Sequence, residues 1–181
     1  CHNLIKKYAA EHQRVVFNGN GYSEEWVHQR LLAIRIRNEL TDEWSKCGVE
    51  KGKEYAILTD EISRAWSGLT TRQHKMLKGL RKENLRDNMS DMELVLTMLA
   101  EASTTDISKV AKPQGFSESQ DVARRGGKVA GIARQTLEAE TGKPVITAQS
   151  ANDFRQLVTD IVEGAAVLPE RTVEEDGNGS E

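Results

Sequence analysis

The sequence predicts an all-α fold: a compact multi-helix domain between a short irregular N-terminal segment and a disordered C-terminal tail. Three observations predict it. Apolar residues recur three and four apart over long windows, as in Val27, Leu31 and Ile34 or Leu32, Ile36 and Leu40, which is the period of a helix with one buried face. Capping-box patterns, Ser90 with Glu93 and Ser117 with Gln120, stand before such windows. Glycines at 48, 68 and 142 follow them as stop signals.

In chain order, residues 2–14 read as a helix with Leu4, Ile5 and Tyr8 on one side. Val15, Val16 and Phe17 favour an extended piece, and Asn18-Gly19 and Asn20-Gly21 are turn signals. Ser23 caps the next helix, whose first turn carries Glu24 and Glu25 toward the positive end of its dipole. That helix runs to Gly48. A second, EYAILTDEISRAWSG, turns Leu58, Ile62 and Ala65 inward. Residues 70–88 are polar and read as short helical pieces. Ser90 opens a helix with Met92, Val95, Leu96 and Leu99 on one face, and KPQGF breaks the chain. Ser117 with Gln120 opens the next helix, which stops at Gly142 with Pro144 beyond. Ser150 with Asp153 is expected to start a last helix through Phe154, Leu157 and Ile161, and VEEDGNGSE has the composition of a disordered tail. The domain reading is therefore an atypical segment at 1–21, a helical domain at 22–167 and an acidic tail at 168–181.

The 181 residues suffice for one domain with a real core. A net charge of −3 excludes a global basic field, so nucleic-acid binding must rest on local patches. The cysteines, Cys1 and Cys47, are too few for a disulfide scaffold. Free thiols in a reducing, cytoplasmic setting are the expectation. No apolar run reaches membrane-spanning length, so no membrane is expected. Beginning at cysteine, the sequence reads as a fragment or a processed product.

His2, His12, His28 and His74 fall in no metal-ligand spacing with the cysteines, so no metal or other cofactor is expected. No serine stands in GxSxG, and GNG and RGGK match neither a dinucleotide fingerprint nor a phosphate loop. Asp42-Glu43 and Asp60-Glu61 read as solvated faces or dipole partners. No catalytic residue is proposed, and the chain is not read as an enzyme.

Two basic patches are the candidate contacts. Residues 64–86 hold Arg64, Arg72, Lys75, Lys78, Arg81, Lys82 and Arg86 against the single acid Glu83. Lys75, Lys78 and Lys82 have the spacing to share a helix face that tracks phosphates; a solvated face is the plain alternative. Arg124, Arg125 and Lys128 form the second patch around Gly126 and Gly127. Each interior glycine costs a helix roughly 1 kcal/mol against alanine. Ala123, Gly127 and Gly131 recur every four residues and form a small-residue stripe. Close helix contact, in cis or between subunits, is the favoured explanation; presentation of amides and guanidinium groups to phosphate is the other.

GYSEEWVHQRLLAIRIRNELTDEW, EYAILTDEISRAWSGL, LKGLRKENLRDNMSDMELVLTMLAEASTTDIS and ARRGGKVAGIARQTLEAETGKPVIT occur in this order. Over residues 21–150 they resemble the C-terminal half of prophage antirepressors of the BRO family, and DNA-damage-inducible protein D. The resemblance implies a bacterial, phage-derived regulatory or damage-response protein with a DNA-linked BRO domain upstream. Its expected partner is DNA, a repressor, or a recombinase such as RecA, and no catalytic residue carries over. A structural or homo-oligomerisation module, with the glycine stripe as its interface, is the competing reading. Residues 3–27, with RVVFNGNGYSEEWV, are similar to a segment near the C-terminal end of type III glutamine synthetases. That implies a join of two unrelated sequences near residue 21, and a synthetase fragment without ATP, glutamate or metal sites as the third reading.

Overall fold

The computed structural model describes residues 24–149. The expectations for the N-terminal helix, the extended piece at 15–17, the Ser23 cap, the helix from Ser150 and the acidic tail lie outside them. The described residues form α1 (Glu24–Lys46), α2 (Lys53–Ser67), α3 (Thr71–Leu77), a 3-10 turn (Leu85–Asn88), α4 (Asp91–Ala111) and α5 (Gly115–Thr141). No strand occurs among them, so this part of the chain is all-helical.

α1 begins with Glu24 and Glu25 and ends before Gly48, whose φ of +77° lets the chain turn back so that Val49 N donates to Trp44 O at 3.0 Å. Its inward line is Trp26, Arg30, Ala33, Arg37, Leu40 and Trp44, spaced four and three apart. This corrects the two apolar lines expected from sequence. Val27 and Leu40 are buried, but Leu31, Ile34 and Ile36 are only half-buried, Ile36 against the core, and Leu32 is exposed. Two arginines occupy seam positions, and hydrophobicity alone does not mark them.

α2 carries Leu58, Ile62 and Trp66 into the core and stops at Gly68, a left-handed cap that donates to Arg64 O at 2.9 Å. α3 is short and capped on both reciprocal bonds of a Thr70–Gln73 box. α4 has the expected Ser90–Glu93 box. Its predicted apolar face is only partly right. Leu96 is buried, whereas Met92, Val95 and Leu99 are exposed. The buried side instead holds Leu94, Thr97, Ala100, Glu101, Thr104 and Ser108. α4 packs against both α1 and α5, and two close neighbours favour small side chains. Thr97 and Thr104 donate to the carbonyls of Glu93 and Ala100, which removes the penalty of burying hydroxyls there.

α5 starts at Gly115, not at Ser117. The Ser117–Gln120 box does not form. Glu118 accepts from Gln114 N at 2.8 Å, and Gln120 reaches across to Glu61 at 3.0 Å. The helix ends at Gly142, φ +66°, as the stop signals predict. Glu61 bonds Gln120 and Arg124, while Trp66 O accepts from Arg134, so α2 and α5 run in the same direction.

Here the glycines find their structural place. A Cβ on Gly127 would lie 2.6 Å from Ala65 Cβ and 2.8 Å from Ile62 O; one on Gly131 would lie 2.6 Å from Ala65 O. A Cβ on Gly126 would lie 2.5 Å from Thr104 Cα. α5 is therefore wedged between α2 and α4, with Ala123 fully buried beside them. The contact is within the chain. Trp44, Trp66, Leu40, Leu58 and Leu94 are the largest apolar side chains in the shared core, and each buried leucine contributes about 1.5–3 kcal/mol.

Candidate functional site

The chain distributes its predicted contact residues between two roles. Lys78 follows α3 and is buried. Its Nζ lies 2.8 Å from Glu93 Oε2 and donates to Gln149 O at 2.6 Å and Thr147 O at 3.3 Å. All three ammonium hydrogens have acceptors inside the protein. Lys75, Lys78 and Lys82 consequently share no helix face. α3 ends at Leu77, one turn too early, and Lys82 sits in the loop before the 3-10 turn. Arg86 turns inward to Glu101 at 2.5 Å. Arg124 is tied to Glu61 and Asp121, each at 3.0 Å, and Glu61 first among these partners raises the pKa of its guanidinium.

Arg72, Arg81, Lys82, Arg125 and Lys128 are exposed, and Lys75 is half-buried. None of the six makes an ion pair among the described residues. The acid next to Arg81 and Lys82 in the chain is Glu83. Its carboxylate accepts the backbone amides of both residues at 2.7 and 2.9 Å and leaves their side chains outward. Amide hydrogen bonds, its own and then that of Arg81, hold the Glu83 carboxyl below the usual range. Gly127 and Gly131 line the seam with α2, Ala123 is fully buried, and all three are closed to a partner.

Two buried charge clusters escaped the sequence reading. In one, Glu93 Oε1 lies 3.4 Å from His74 Nε2 and accepts Thr147 N, while Oε2 accepts Lys78 and the Ser90 amide. Burial alone would raise this carboxyl. The donors His74, Lys78 and Ser90 outweigh it and hold the pKa below its usual value. In the other, Arg37 and Arg86 converge on Glu101, and Arg37 also donates to Thr59 at 2.5 Å and lies 5.0 Å from the Trp44 ring centroid. Burial lowers the Arg37 pKa; Glu101 opposes this and Arg86 adds to it. The legible signal was Arg30 and Arg37 at seven-residue spacing on α1, of which Arg37 joins this cluster and Arg30 pairs with Asp87.

A cavity of about 40 Å³ lies beside Glu101, Arg86, Thr59, Ser63, Thr97 and Trp66, room for about three waters at roughly 10–15 Å³ each. The hydroxyls of Thr59, Ser63 and Thr97 donate to the backbone carbonyls of Tyr55, Leu69 and Glu93. They are positioned as structural donors. Glu101, the carboxylate beside them, is held by two arginines. Among the described residues no three His, Cys, Asp or Glu side chains converge as metal ligands, and no helix is long and apolar enough to cross a membrane.

A family model for the glutamine synthetase C-terminal domain matches residues 1–51. No curated protein and no solved structure matches the chain. The match extends the synthetase-like stretch well beyond residue 27 and through the whole of α1. It ends in the turn before Gly52, the residue that precedes α2. The described part of that stretch is integral to the helical core. Leu40 and Trp44 are buried in it, and Arg30 and Arg37 pair with Asp87 and Glu101 from beyond the match.

Proposed function

We propose that the helical domain is a non-enzymatic binding module of the antirepressor type that contacts DNA phosphates through its unpaired cations. The carrying observation is the division among the basic residues. Lys78, Arg86 and Arg124 are held by carboxylates, whereas Arg72, Arg81, Lys82, Arg125 and Lys128 are exposed and make no ion pair among the described residues. Flexible cations facing solvent suit a phosphate backbone, which demands charge rather than a shaped pocket. The likeness of residues 21–150 to prophage antirepressors supports the same reading, and a DNA-bound repressor or recombinase is its protein-partner form. Fluorescence anisotropy with a labelled duplex tests it. Charge reversal at Arg72, Arg81 and Lys82 together should abolish binding, and each lost phosphate contact should lower the log–log salt slope by about 0.9. Affinity unchanged at low salt would return these residues to ordinary solvated surface.

The family match favours a second reading, in which the chain is a piece of a protein carrying a glutamine synthetase C-terminal domain. The upstream coding sequence separates the two: a synthetase core supports this reading, a BRO domain the first.

A further inference from the structure

The outward face of α5 carries a pattern that takes no part in the core among the described residues. Arg125, Val129, Ile132, Thr136 and Ala139 recur at alternating steps of four and three, the spacing of a coiled-coil seam. All five are exposed, with Val129 at 43% and Ile132 at 55%. The helix meets α2 and α4 through Val122, Ala123, Gly126, Gly127, Ala130 and Gly131 instead. A helix already buried along one side thus presents a second, partly apolar line on the other.

Charge on this face changes sign along the helix. Arg125 and Lys128 precede Ile132, and Glu140 follows it; all three are exposed and make no ion pair among the described residues. Arg125 and Glu140 stand at nearly equal distances from the middle of the line, about 10 and 12 Å from Ile132 at 1.5 Å per residue. In a parallel pair of such faces, arginine would oppose arginine and glutamate would oppose glutamate. In an antiparallel pair with its two-fold axis between Ile132 and Ala133, the isoleucines meet, Val129 faces Thr136, and Arg125 faces Glu140 at both ends. We propose that α5 pairs with α5 of a second copy in this antiparallel register. The surface is self-complementary, as a two-fold interface requires.

The span from Arg125 to Glu140 is about 22 Å. One helix pair of that length falls short of the roughly 1,200 Å² of a standard stable interface, so association is weak and concentration-dependent. The interface differs from the glycine stripe expected on sequence grounds, because α2 fills that stripe. Arg125 also belongs to the exposed cations of the phosphate reading. The duplex test of that reading rests on Arg72, Arg81 and Lys82, which lie outside α5, so the two can fail separately.

Sedimentation equilibrium on the full chain, from about 10 μM to about 1 mM, tests the pairing. Wild type should show reversible dimerisation. Ile132→Glu should be monomeric throughout, with its helical circular dichroism retained. Arg125→Glu and Glu140→Arg should each weaken association roughly tenfold or more by opposing like charges. The double variant Arg125→Glu/Glu140→Arg should restore it. A wild type that stays monomeric, association that survives Ile132→Glu, or a double variant no better than the singles would each overturn the proposal. A monomeric wild type whose duplex affinity falls with Ile132→Glu would assign the face to DNA and overturn it as well.

Discussion

Lys78 and Glu93 form an ion pair of 2.8 Å with both side chains fully buried. The pair joins the end of α3 to the first turn of α4. Through the carbonyls of Thr147 and Gln149 it also fastens the segment after α5. Removing Lys78 leaves the buried Glu93 carboxylate without its cation, held only by His74 and the amides of Ser90 and Thr147. Lys78→Met should therefore cost about 3–5 kcal/mol. The neighbouring Lys82 is exposed and makes no ion pair among the described residues, and Lys82→Met should stay within about 0.5 kcal/mol of wild type. Urea denaturation of the two variants checks this directly. Similar midpoints for both would mean that Lys78 is not engaged as described.

The same site predicts how stability depends on pH. Burial pushes the Glu93 carboxyl up, but donors from His74, Lys78 and Ser90 outweigh it and leave the pKa below the usual 4.5 in the folded protein. A carboxyl with a depressed folded pKa contributes stability that is fully present above its unfolded value. That contribution is lost as pH falls from about 4.5 through the folded value. Glu93→Gln should lower the melting temperature at neutral pH and flatten its decline below pH 4.5. A parallel decline in both proteins would remove Glu93 as a cause.

Gly127 offers a contest between two known effects. Alanine at this position gains roughly 1 kcal/mol of helix propensity. Its Cβ would also stand 2.6 Å from Ala65 Cβ and 2.8 Å from Ile62 O. Backbone on one side cannot yield as a flexible side chain would, and overpacking costs about 1–3 kcal/mol. Gly127→Ala should accordingly melt lower than wild type, and Gly127→Leu lower still. The contact is internal, so the mass seen by light scattering should not follow the glycine. A variant that melts higher would mean that α2 and α5 are less close than described.

These particulars show what the sequence could and could not disclose. Helix ends were legible where chemistry is local: the Ser90–Glu93 box and the glycines at 48, 68 and 142 act within one turn of themselves. The Ser117–Gln120 pattern misled because Gln120 has a better partner in Glu61, on another helix. Facing residues were harder. Met92, Val95 and Leu99 look like a core line, yet α4 turns its threonines and Glu101 inward. A buried hydroxyl satisfied by its own helix, or a carboxylate met by two distant arginines, has no periodic hydrophobic signature. For the basic residues the sequence offered charge and spacing. Which cations are already neutralised depends on Glu93, Glu61 and Glu101, and only the fold brings those acids near.

Two arginines share one carboxylate at Glu101. Arg37 Nη1 lies 3.2 Å and Arg86 Nη2 2.5 Å from the same carboxylate oxygen, and the acid is almost wholly buried. Glu101→Gln keeps the shape and removes the negative charge. Two guanidinium groups would then face each other across a neutral amide in a poorly solvated site, with a cost of about 3–5 kcal/mol. Removing one cation as well should relieve that repulsion. The double variant Glu101→Gln/Arg86→Gln should be more stable than the sum of its single changes implies, with a coupling of about 0.5–3 kcal/mol. Additive losses in chemical denaturation would show that Arg86 and Glu101 act independently. Arg37 should then be tested as the sole partner, because its additional bond to Thr59 and its position over Trp44 hold it in place without Arg86.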